Sequence, residues 1–311
     1  MLYIILFFLL AACFLAGMTW MRIGLFNLSG SALQRWVQHV TNTPLKSMCA
    51  GIVMTLILQS SSAVTVIAVG LVSAGILTFP QTIGIILGTN IGTTVTLEII
   101  SFDLSGLIIP LFLIGVLCLF FQHTRVRSCG FILIGIGMIF SSMKGFSWLS
   151  SPLTNISFVQ QLIQQLEINM LYAFAAGVIL TAVIQSGTVA TGIAMSFVGA
   201  GIFGLETGIL IMMGSNIGTC STALLAGIGA GKEARLTAYA HLWLNILGVT
   251  FFLPFIHHLA DWSAALSENP ETQLAHASVL FNMICSMAVL PFANHFGQFI
   301  MWMHQKKSVF R

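Results

Sequence analysis

Charged side chains are scarce in this sequence, since Asp, Glu, Lys and Arg make up 6% of its 311 residues. A soluble domain carries about 25% charged residues. Apolar residues contribute 57% of the chain, and the mean hydropathy is +1.00. This shortage of charge excludes an ordinary water-soluble domain. The long apolar runs instead indicate a protein that crosses a lipid bilayer several times.

Motifs for catalysis and cofactor binding are also missing. The Gly-x-x-x-x-Gly-Lys pattern of a nucleotide-binding loop does not occur, and neither a catalytic triad nor a metal-ligand cluster is found. The six cysteines have no metal-type pairing. The net charge of +3 comes from Lys and Arg residues in short loops between apolar segments. We therefore expect no enzyme activity, no bound cofactor and no nucleic-acid partner.

Two apolar segments are too long for a single crossing of the membrane. Residues 45–76 and 171–203 contain 32 and 33 residues, or about 48 Å as one helix against a hydrocarbon core of about 30 Å. A polar tetrapeptide lies near the middle of each segment and begins at Gln59 or Gln185. Divided there, each segment predicts two half-helices that form a re-entrant hairpin with a polar tip. The alternative is one long, tilted helix whose hydroxyl groups bond to its own carbonyls.

The other apolar stretches predict about seven transmembrane helices. They cover residues 2–20, 82–100, 105–121, 129–143, 207–228, 238–256 and 274–300. With the first residue outside, Arg125, Lys232 and the cations of the tail 306–311 lie in the cytoplasm and Lys144 lies outside, in agreement with the positive-inside rule. A topology that counts both hairpins as full spans satisfies the positive-inside rule nearly as well. The preference for hairpins therefore rests on segment length and polarity, not on charge. This predicts a multi-pass protein of the bacterial cytoplasmic membrane.

The sequence contains an internal repeat with a constant offset of 126 positions. Gln59 aligns with Gln185 and Asn90 with Asn216 (216 − 90 = 126). Chance matches in an apolar chain involve Leu, Ile and Val, whereas these matches involve Gln, Asn, Gly and Thr. Three predicted spans separate the copies, and an odd number inverts the second copy relative to the first. Inverted repeats whose broken helices meet near the midplane are typical of secondary transporters.

The repeat divides the chain into five segments. Residues 1–44 hold the first span and a cytoplasmic loop, 45–104 the first copy, 105–170 connecting spans and a loop, 171–230 the second copy, and 231–311 the C-terminal spans and a short tail. Each copy is predicted to contain a hairpin followed by a broken span. The break in that span is expected at Gly-Thr-Asn-Ile-Gly-Thr in the first copy and at Gly-Ser-Asn-Ile-Gly-Thr in the second.

These polar breaks form the candidate binding site. They contain no charged side chain; their amide, hydroxyl and carbonyl oxygens suit sodium, and N–H groups at half-helix N-termini suit an oxyanion. The glycines are expected to let the backbone approach a ligand. The alternative is that Ser and Thr only join helices and Gly-Asn only marks a kink. The candidate residues are Gln59, Ser60, Ser61, Ser62, Thr89, Asn90, Thr93, Gln185, Ser186, Thr188, Ser215, Asn216 and Thr219.

The two Gln-Ser motifs, each followed by a Gly/Asn-Ile-Gly-Thr motif, resemble those of the sodium/phosphate cotransporter family, in particular its short bacterial members. Further similar segments are Phe14 to Met18, Arg235 to Asn245 and Ala275 to Asn282, and the resemblance covers most of residues 10–295. It implies that the Gln-Ser motifs line the pathway for sodium and phosphate. The second copy departs from the family pattern, because Gly187 replaces a serine and Thr188 retains only a hydroxyl.

We therefore expect an all-α polytopic membrane protein that transports inorganic phosphate, with sodium as coupling ion, by alternating access. Uptake, export and a homodimer are all left open. One alternative is a sodium-coupled transporter of another oxyanion or of a dicarboxylate. Another is a membrane regulator that senses phosphate without transporting it. Sodium-dependent flux would separate transport from sensing.

Overall fold

The computed structural model describes residues 2–40 and 43–305, which form α-helices joined by short turns and contain no β-strand. The predicted all-α fold is confirmed, while the tail 306–311 lies outside the described residues. The helices are α1 (Leu2–Val40), α2 (Pro44–Leu58), α3 (Ser61–Ser73), α4 (Phe79–Ser101), α5 (Ile108–Leu119), α6 (Thr124–Thr154), α7 (Ser157–Ile168), α8 (Met170–Ile184), α9 (Gly187–Gly199), α10 (Leu205–Gly218), α11 (Cys220–Gly227), α12 (Lys232–Phe252), α13 (Ile256–Ala264), α14 (Pro270–Val289) and α15 (Ala293–Gln305).

The helices confirm a multi-pass membrane protein. Six segments are long and apolar enough to cross a bilayer: Leu2–Leu28, Phe79–Ser101, Thr124–Thr154, Leu205–Gly227, Lys232–Ala264 and Pro270–His304. Helices α7 and α8, bent by 116°, would make a seventh if the pair formed one span. The predicted span over 105–121 is shorter than expected, since the apolar helix there covers Ser105–Leu119, or about 22 Å.

Both overlong segments divide at their polar clusters. Helix α2 ends at Leu58 and α3 begins at Ser61, while α8 ends at Ile184 and α9 begins at Gly187. The two half-helices of each pair contact each other. The predicted division into half-helices is confirmed, and the alternative of one long, tilted helix is wrong. The faces from which the hairpins enter the bilayer stay a prediction.

The expected unwinding at the Asn-Ile-Gly-Thr motifs is not found in the first copy, where α4 continues through residues 88–93 without a break. In the second copy α10 ends at Gly218 and α11 begins at Cys220. Between them Thr219 keeps right-handed helical angles, with φ −64° and ψ −23°, so the interruption is slight. These motifs therefore place their polar side chains from helices rather than from unwound backbone.

Glycines in these motifs let two helix pairs pack at close range, α4 on α2 and α10 on α8. A Cβ atom on Gly88 would overlap the carbonyl oxygen of Met48, and one on Gly214 would overlap the carbonyl oxygen of Phe174. Spacings of the type Gly-x-x-x-Gly form such close packing faces in membrane helices. The motif glycines thus bring the backbone close to another helix, while a close approach of the backbone to a ligand stays a prediction.

Helices α12 and α14 complete the surroundings of the two copies. Helix α12 packs against α3 and α4, and α14 packs against α4, α9 and α10. Each is followed by a 3-10 turn of sequence Leu-Pro-Phe, at Leu253–Phe255 and Leu290–Phe292. Proline cannot donate a backbone hydrogen bond, which accounts for the end of the α-helix at both turns.

Candidate functional site

A glutamine with left-handed backbone ends the first half-helix of each hairpin. Gln59 has φ 49° and ψ 35°, and Gln185 has φ 58° and ψ 28°. Among the described residues, these are the non-glycine residues with positive φ. The turn leaves carbonyl groups in the last turn of α2 and α8 without helical partners. The two copies therefore share the same unusual backbone at equivalent positions.

The serine after each glutamine begins the second half-helix. The Ser60 Oγ accepts a hydrogen bond from the Ala63 amide at 3.1 Å, and the Ser186 Oγ accepts one from the Val189 amide at 3.4 Å. Both serines have extended backbone angles, as helix N-caps do. The Gln-Ser dipeptide thus forms the break itself, since one residue ends a helix and the next caps the following one.

Beside the caps, the first turns of α3 and α9 present polar groups. Ser61 and Ser62 are each 9% exposed, and Thr188, the equivalent of Ser62, is also buried. Backbone N–H groups in a first helical turn have no acceptor within the helix. Hydroxyl and amide donors therefore lie together at each half-helix N-terminus, where the helix dipole favours an anion.

At the position of Ser61, the second copy has Gly187. A Cβ atom on Gly187 would lie 2.8 Å from Thr219 Cγ2 and 3.1 Å from Ser215 Oγ. Ser215 also donates a hydrogen bond from its Oγ to the Gly187 carbonyl at 3.2 Å. Packing of the hairpin tip against α10 therefore accounts for the missing serine.

The two glutamine side chains have different surroundings. The Gln59 side chain is buried, donates from Nε2 to the Leu56 carbonyl at 2.6 Å, and accepts from the Thr96 hydroxyl at 2.9 Å. Gln185 is exposed. Thr222, the equivalent of Thr96, donates to the Thr219 carbonyl at 2.8 Å instead. The Gln59 side chain is thus bonded to the neighbouring helix α4, while the Gln185 side chain is exposed.

A chain of hydrogen bonds links the two Asn-Ile-Gly-Thr motifs through α12. Asn90 donates from Nδ2 to Asn245 Oδ1 at 3.1 Å, and the Asn245 Nδ2 lies 3.2 Å from Cys220 Sγ. Cys220 in turn contacts the Asn216 carbonyl at 3.5 Å, and Asn216 Nδ2 lies 3.4 Å from Asn282 Oδ1. The structure therefore brings the predicted residues Asn90 and Asn216 into one polar network.

The threonine hydroxyls of the motifs donate to their own helices. Thr89 donates to the Ile86 carbonyl at 2.8 Å, Thr93 to the Thr89 carbonyl at 2.9 Å, and Thr219 to the Asn216 carbonyl at 2.7 Å. Each hydroxyl oxygen keeps lone pairs that can still accept a hydrogen bond or contact a cation. These three residues are therefore held in place without losing their capacity as oxygen ligands.

Several residues that contact the predicted ones were not among the candidates. Thr96 matches Thr222 under the repeat offset, and Asn245 and Asn282 precede the two Leu-Pro-Phe turns at the same spacing. Both signals are present in the sequence. Cys220 has no such signal, because the equivalent position in the first copy is a threonine.

Acidic side chains stay at the ends of the helices. Glu98 Oε1 lies 2.8 Å from His276 Nδ1, and Glu206 Oε1 lies 2.5 Å from His257 Nδ1. In the described part of the chain, no group of three or more His, Cys, Asp or Glu residues could hold a metal ion. The hairpin tips themselves contain no carboxylate, and the binding of a cation by their neutral oxygens stays a prediction.

Comparison with known proteins gives the family. The family profile described as Na+/Pi-cotransporter matches residues 13–148 and 152–267. "Uncharacterized protein YqeW" of Bacillus subtilis (strain 168) is 41% identical over 300 residues, which cover 96% of this chain and 98% of that protein. "Putative inorganic phosphate export protein YjbB" of Escherichia coli (strain K12) is 27% identical over 281 residues, which cover 89% of this chain and 51% of that protein.

A shorter match is found with "Sodium-dependent phosphate transport protein 2A" of Ovis aries, 32% identical over 87 residues, 27% of this chain and 14% of that protein. No solved structure matches the chain. The chain spans about half the length of the phosphate export protein that it matches. The profile ranges include both hairpins and both Asn-Ile-Gly-Thr motifs, and they extend over most of the sequence. The chain therefore belongs to the Na+/Pi-cotransporter family.

Proposed function

We propose that this protein transports inorganic phosphate together with sodium by alternating access. One observation carries the proposal: both copies contain a left-handed glutamine followed by a serine-capped half-helix. Broken helices of this kind hold substrates and coupling ions in secondary transporters. The family and the names of the relatives, which mention phosphate export and sodium-dependent phosphate transport, support phosphate and sodium as the transported species. The imposed gradients would decide the direction of net movement.

The lack of cationic side chains at the hairpin tips supports coupling between phosphate and sodium. Neither tip contains Lys or Arg, so phosphate would bind to neutral donors such as the Ser61, Ser62 and Thr188 hydroxyls and the first-turn N–H groups. A doubly or singly charged anion in a partly desolvated site is costly without a counter-charge. Sodium bound to neighbouring carbonyl, amide and hydroxyl oxygens would supply that charge. Each ion would therefore raise the affinity for the other.

Two contacts, one at each end of α12, support opposed orientations of the copies. At the beginning of α12, the Thr237 Oγ1 lies 3.1 Å from Thr82 Oγ1, near the beginning of α4. Just after the end of α12, His257 contacts Glu206, at the beginning of α10. Helices α4 and α10 thus begin at opposite ends of α12. Opposed copies allow one hairpin to enter from each face, which is an arrangement found in inverted-repeat secondary transporters.

Binding measurements test the coupling. Phosphate affinity of the purified protein is measured by calorimetry in sodium chloride and in potassium chloride of equal concentration. We expect strong binding only with sodium, and by linkage the sodium affinity should rise by the same factor when phosphate is present. Phosphate binding of equal strength in both salts would overturn the coupling mechanism.

Cysteine labelling tests the orientation. Leu45 and Leu171 occupy equivalent positions at the start of the two hairpins and are 55% and 66% exposed. Each is replaced by Cys in a background where the exposed Cys49 and Cys129 are Ala. An impermeant maleimide should label the two positions from opposite sides of the membrane. Labelling of both from the same side would overturn the inverted arrangement.

A further inference from the structure

Two buried threonine hydroxyls lack a hydrogen-bond partner, and they occupy equivalent positions in the two copies. Thr55 and Thr181 are 1% and 0% exposed, and neither Oγ1 has a partner. The great majority of buried polar atoms in proteins are paired. Other threonines in these copies, such as Thr89 and Thr93, donate to carbonyls of their own helices. An unpaired buried hydroxyl that occurs twice at the repeat offset therefore requires an explanation.

Both hydroxyls lie beside the breaks. Thr55 precedes Gln59 by four residues and Thr181 precedes Gln185 by four, so each threonine lies about one helical turn before its break. A Cβ atom on Gly92 would lie 2.7 Å from Thr55 Cβ, and one on Gly218 would lie 2.7 Å from Thr181 Cβ. Each threonine therefore packs against the glycine of the Asn-Ile-Gly-Thr motif in its own copy.

Backbone carbonyl oxygens at the C-terminal ends of α2 and α8 could serve as further ligands. Because α2 and α8 end at Leu58 and Ile184, the carbonyls of residues 56–58 and 182–184 have no amide four residues later within the helix. The carbonyl of Leu56 accepts from the Gln59 side chain at 2.6 Å. Each break thus offers neutral hydroxyl, amide and carbonyl oxygens within about one helical turn of the threonine, and residues 55–62 and 181–188 contain no carboxylate.

We infer that each copy binds one sodium ion at the end of its first half-helix, with the hydroxyl oxygen of Thr55 or Thr181 as a ligand. This inference rests on the proposed function and adds two ligands to it. Sodium prefers hard, neutral or anionic oxygen ligands, and a hydroxyl with both lone pairs free is one of these. Sodium bound there would lie on the carbonyl side of the break, while the serine cap and first-turn amides on the other side would hold phosphate.

The test compares Thr55→Val and Thr181→Val with the parent in thermal unfolding, over a range of sodium concentrations without phosphate and with choline as the replacement cation. Valine keeps the shape and replaces the hydroxyl with a methyl group. Since that hydroxyl makes no hydrogen bond, each variant should be at least as stable as the parent in choline. The sodium concentration for half-maximal stabilisation should rise about tenfold, because a ligand is lost. Thr55→Ser, which keeps the hydroxyl, should behave like the parent.

Thr94→Val is the matched control. Thr94 is 1% exposed and donates to the Ile91 carbonyl at 2.7 Å, so its replacement should lower stability in choline and leave the sodium dependence unchanged. If sodium stabilises the parent and both valine variants at the same concentration, the ligand assignment is overturned and the proposed function stands. If sodium does not stabilise the parent at all, the assignment and sodium coupling are both overturned. Should Thr55→Val fail to fold, Thr181→Val and Thr55→Ser decide the question.

Discussion

Asn90 on α4 donates a hydrogen bond to Asn245 on α12 at 3.1 Å, and both side chains are buried. Through Cys220, the same Asn245 amide reaches the second copy. Buried amides of this kind need their partners, since an unpaired donor or acceptor costs about 1–3 kcal/mol. The pair therefore joins the two copies of the repeat at a fixed position.

Replacing Asn245 by Ala should destabilise the protein by about 1–3 kcal/mol, because Asn90 and Cys220 lose their partner. In a double-mutant cycle with Asn90→Ala, the two losses should be less than additive. Thermal unfolding in detergent gives the stability of the parent, of the two single variants and of the double variant. Asn155, which is exposed and directly follows α6, is the control and should tolerate Ala. Strictly additive losses would show that the two amides do not interact.

The two glutamines should respond differently to removal. Gln59→Ala breaks two hydrogen bonds and leaves the buried Thr96 hydroxyl unpaired, so we expect a loss of about 1–3 kcal/mol of stability. Gln185 is exposed, and Gln185→Ala should change stability by less than about 0.5 kcal/mol.

Both glutamine variants should nevertheless lose about tenfold in transport at limiting sodium, because each removes an oxygen ligand from a break. Gln161, exposed on α7, provides the control variant and should retain transport after replacement by Ala. Transport rates of Gln59→Ala and Gln185→Ala equal to the parent, at equal expression, would show that the breaks are packing features alone.

The motif glycines should tolerate no side chain. Gly88→Ala and Gly214→Ala each place a methyl group on a carbonyl oxygen of the neighbouring helix, which we expect to destabilise the protein by about 3 kcal/mol, the upper end of the usual overpacking range. Gly70, in the helical interior of α3, has no atom within 4 Å of its added Cβ. Gly70→Ala should therefore be neutral or slightly stabilising. Equal thermal stability of all three variants would contradict the packing described for α4 and α10.

Restoring serine at position 187 should also be costly in this chain. The new Cβ would lie 2.8 Å from Thr219 Cγ2, so Gly187→Ser alone should lower the unfolding temperature. Adding Thr219→Ser removes that methyl group and keeps the hydroxyl, and the double variant should recover most of the loss. Recovery would show that packing, rather than ion binding, fixes glycine here. A double variant as unstable as Gly187→Ser would contradict this explanation.

The positions of the helix breaks in the candidate site could be predicted from the sequence because their signals are local. The segment length and the polar tetrapeptides locate the breaks at Gln59 and Gln185, and the repeat offset identifies equivalent residues. The helical continuity of α4 could not be predicted in this way. A Gly-Thr-Asn sequence fits both an unwound segment and a close helix contact, and only the partner backbone of α2 decides between them.

The difference between the two hairpin tips could not be predicted from the sequence, for a related reason. Thr96 and Thr222 are identical residues at equivalent positions, yet one donates to a glutamine and the other to its own helix. Side-chain rotamers and the positions of neighbouring helices determine that choice. Likewise Cys220 joins the polar network through its contacts with α12, which no local pattern indicates.

Phosphate flux in proteoliposomes tests the central claim most directly. Purified protein is reconstituted with equal internal and external phosphate, and labelled phosphate is added outside. One set of vesicles receives an inward sodium gradient, and a second set receives an inward potassium gradient of the same size. We expect labelled phosphate to accumulate above its external concentration with the sodium gradient alone, and the accumulation to collapse when a sodium ionophore is added. Equal accumulation with the potassium gradient, or none with either ion, would contradict sodium-coupled phosphate transport.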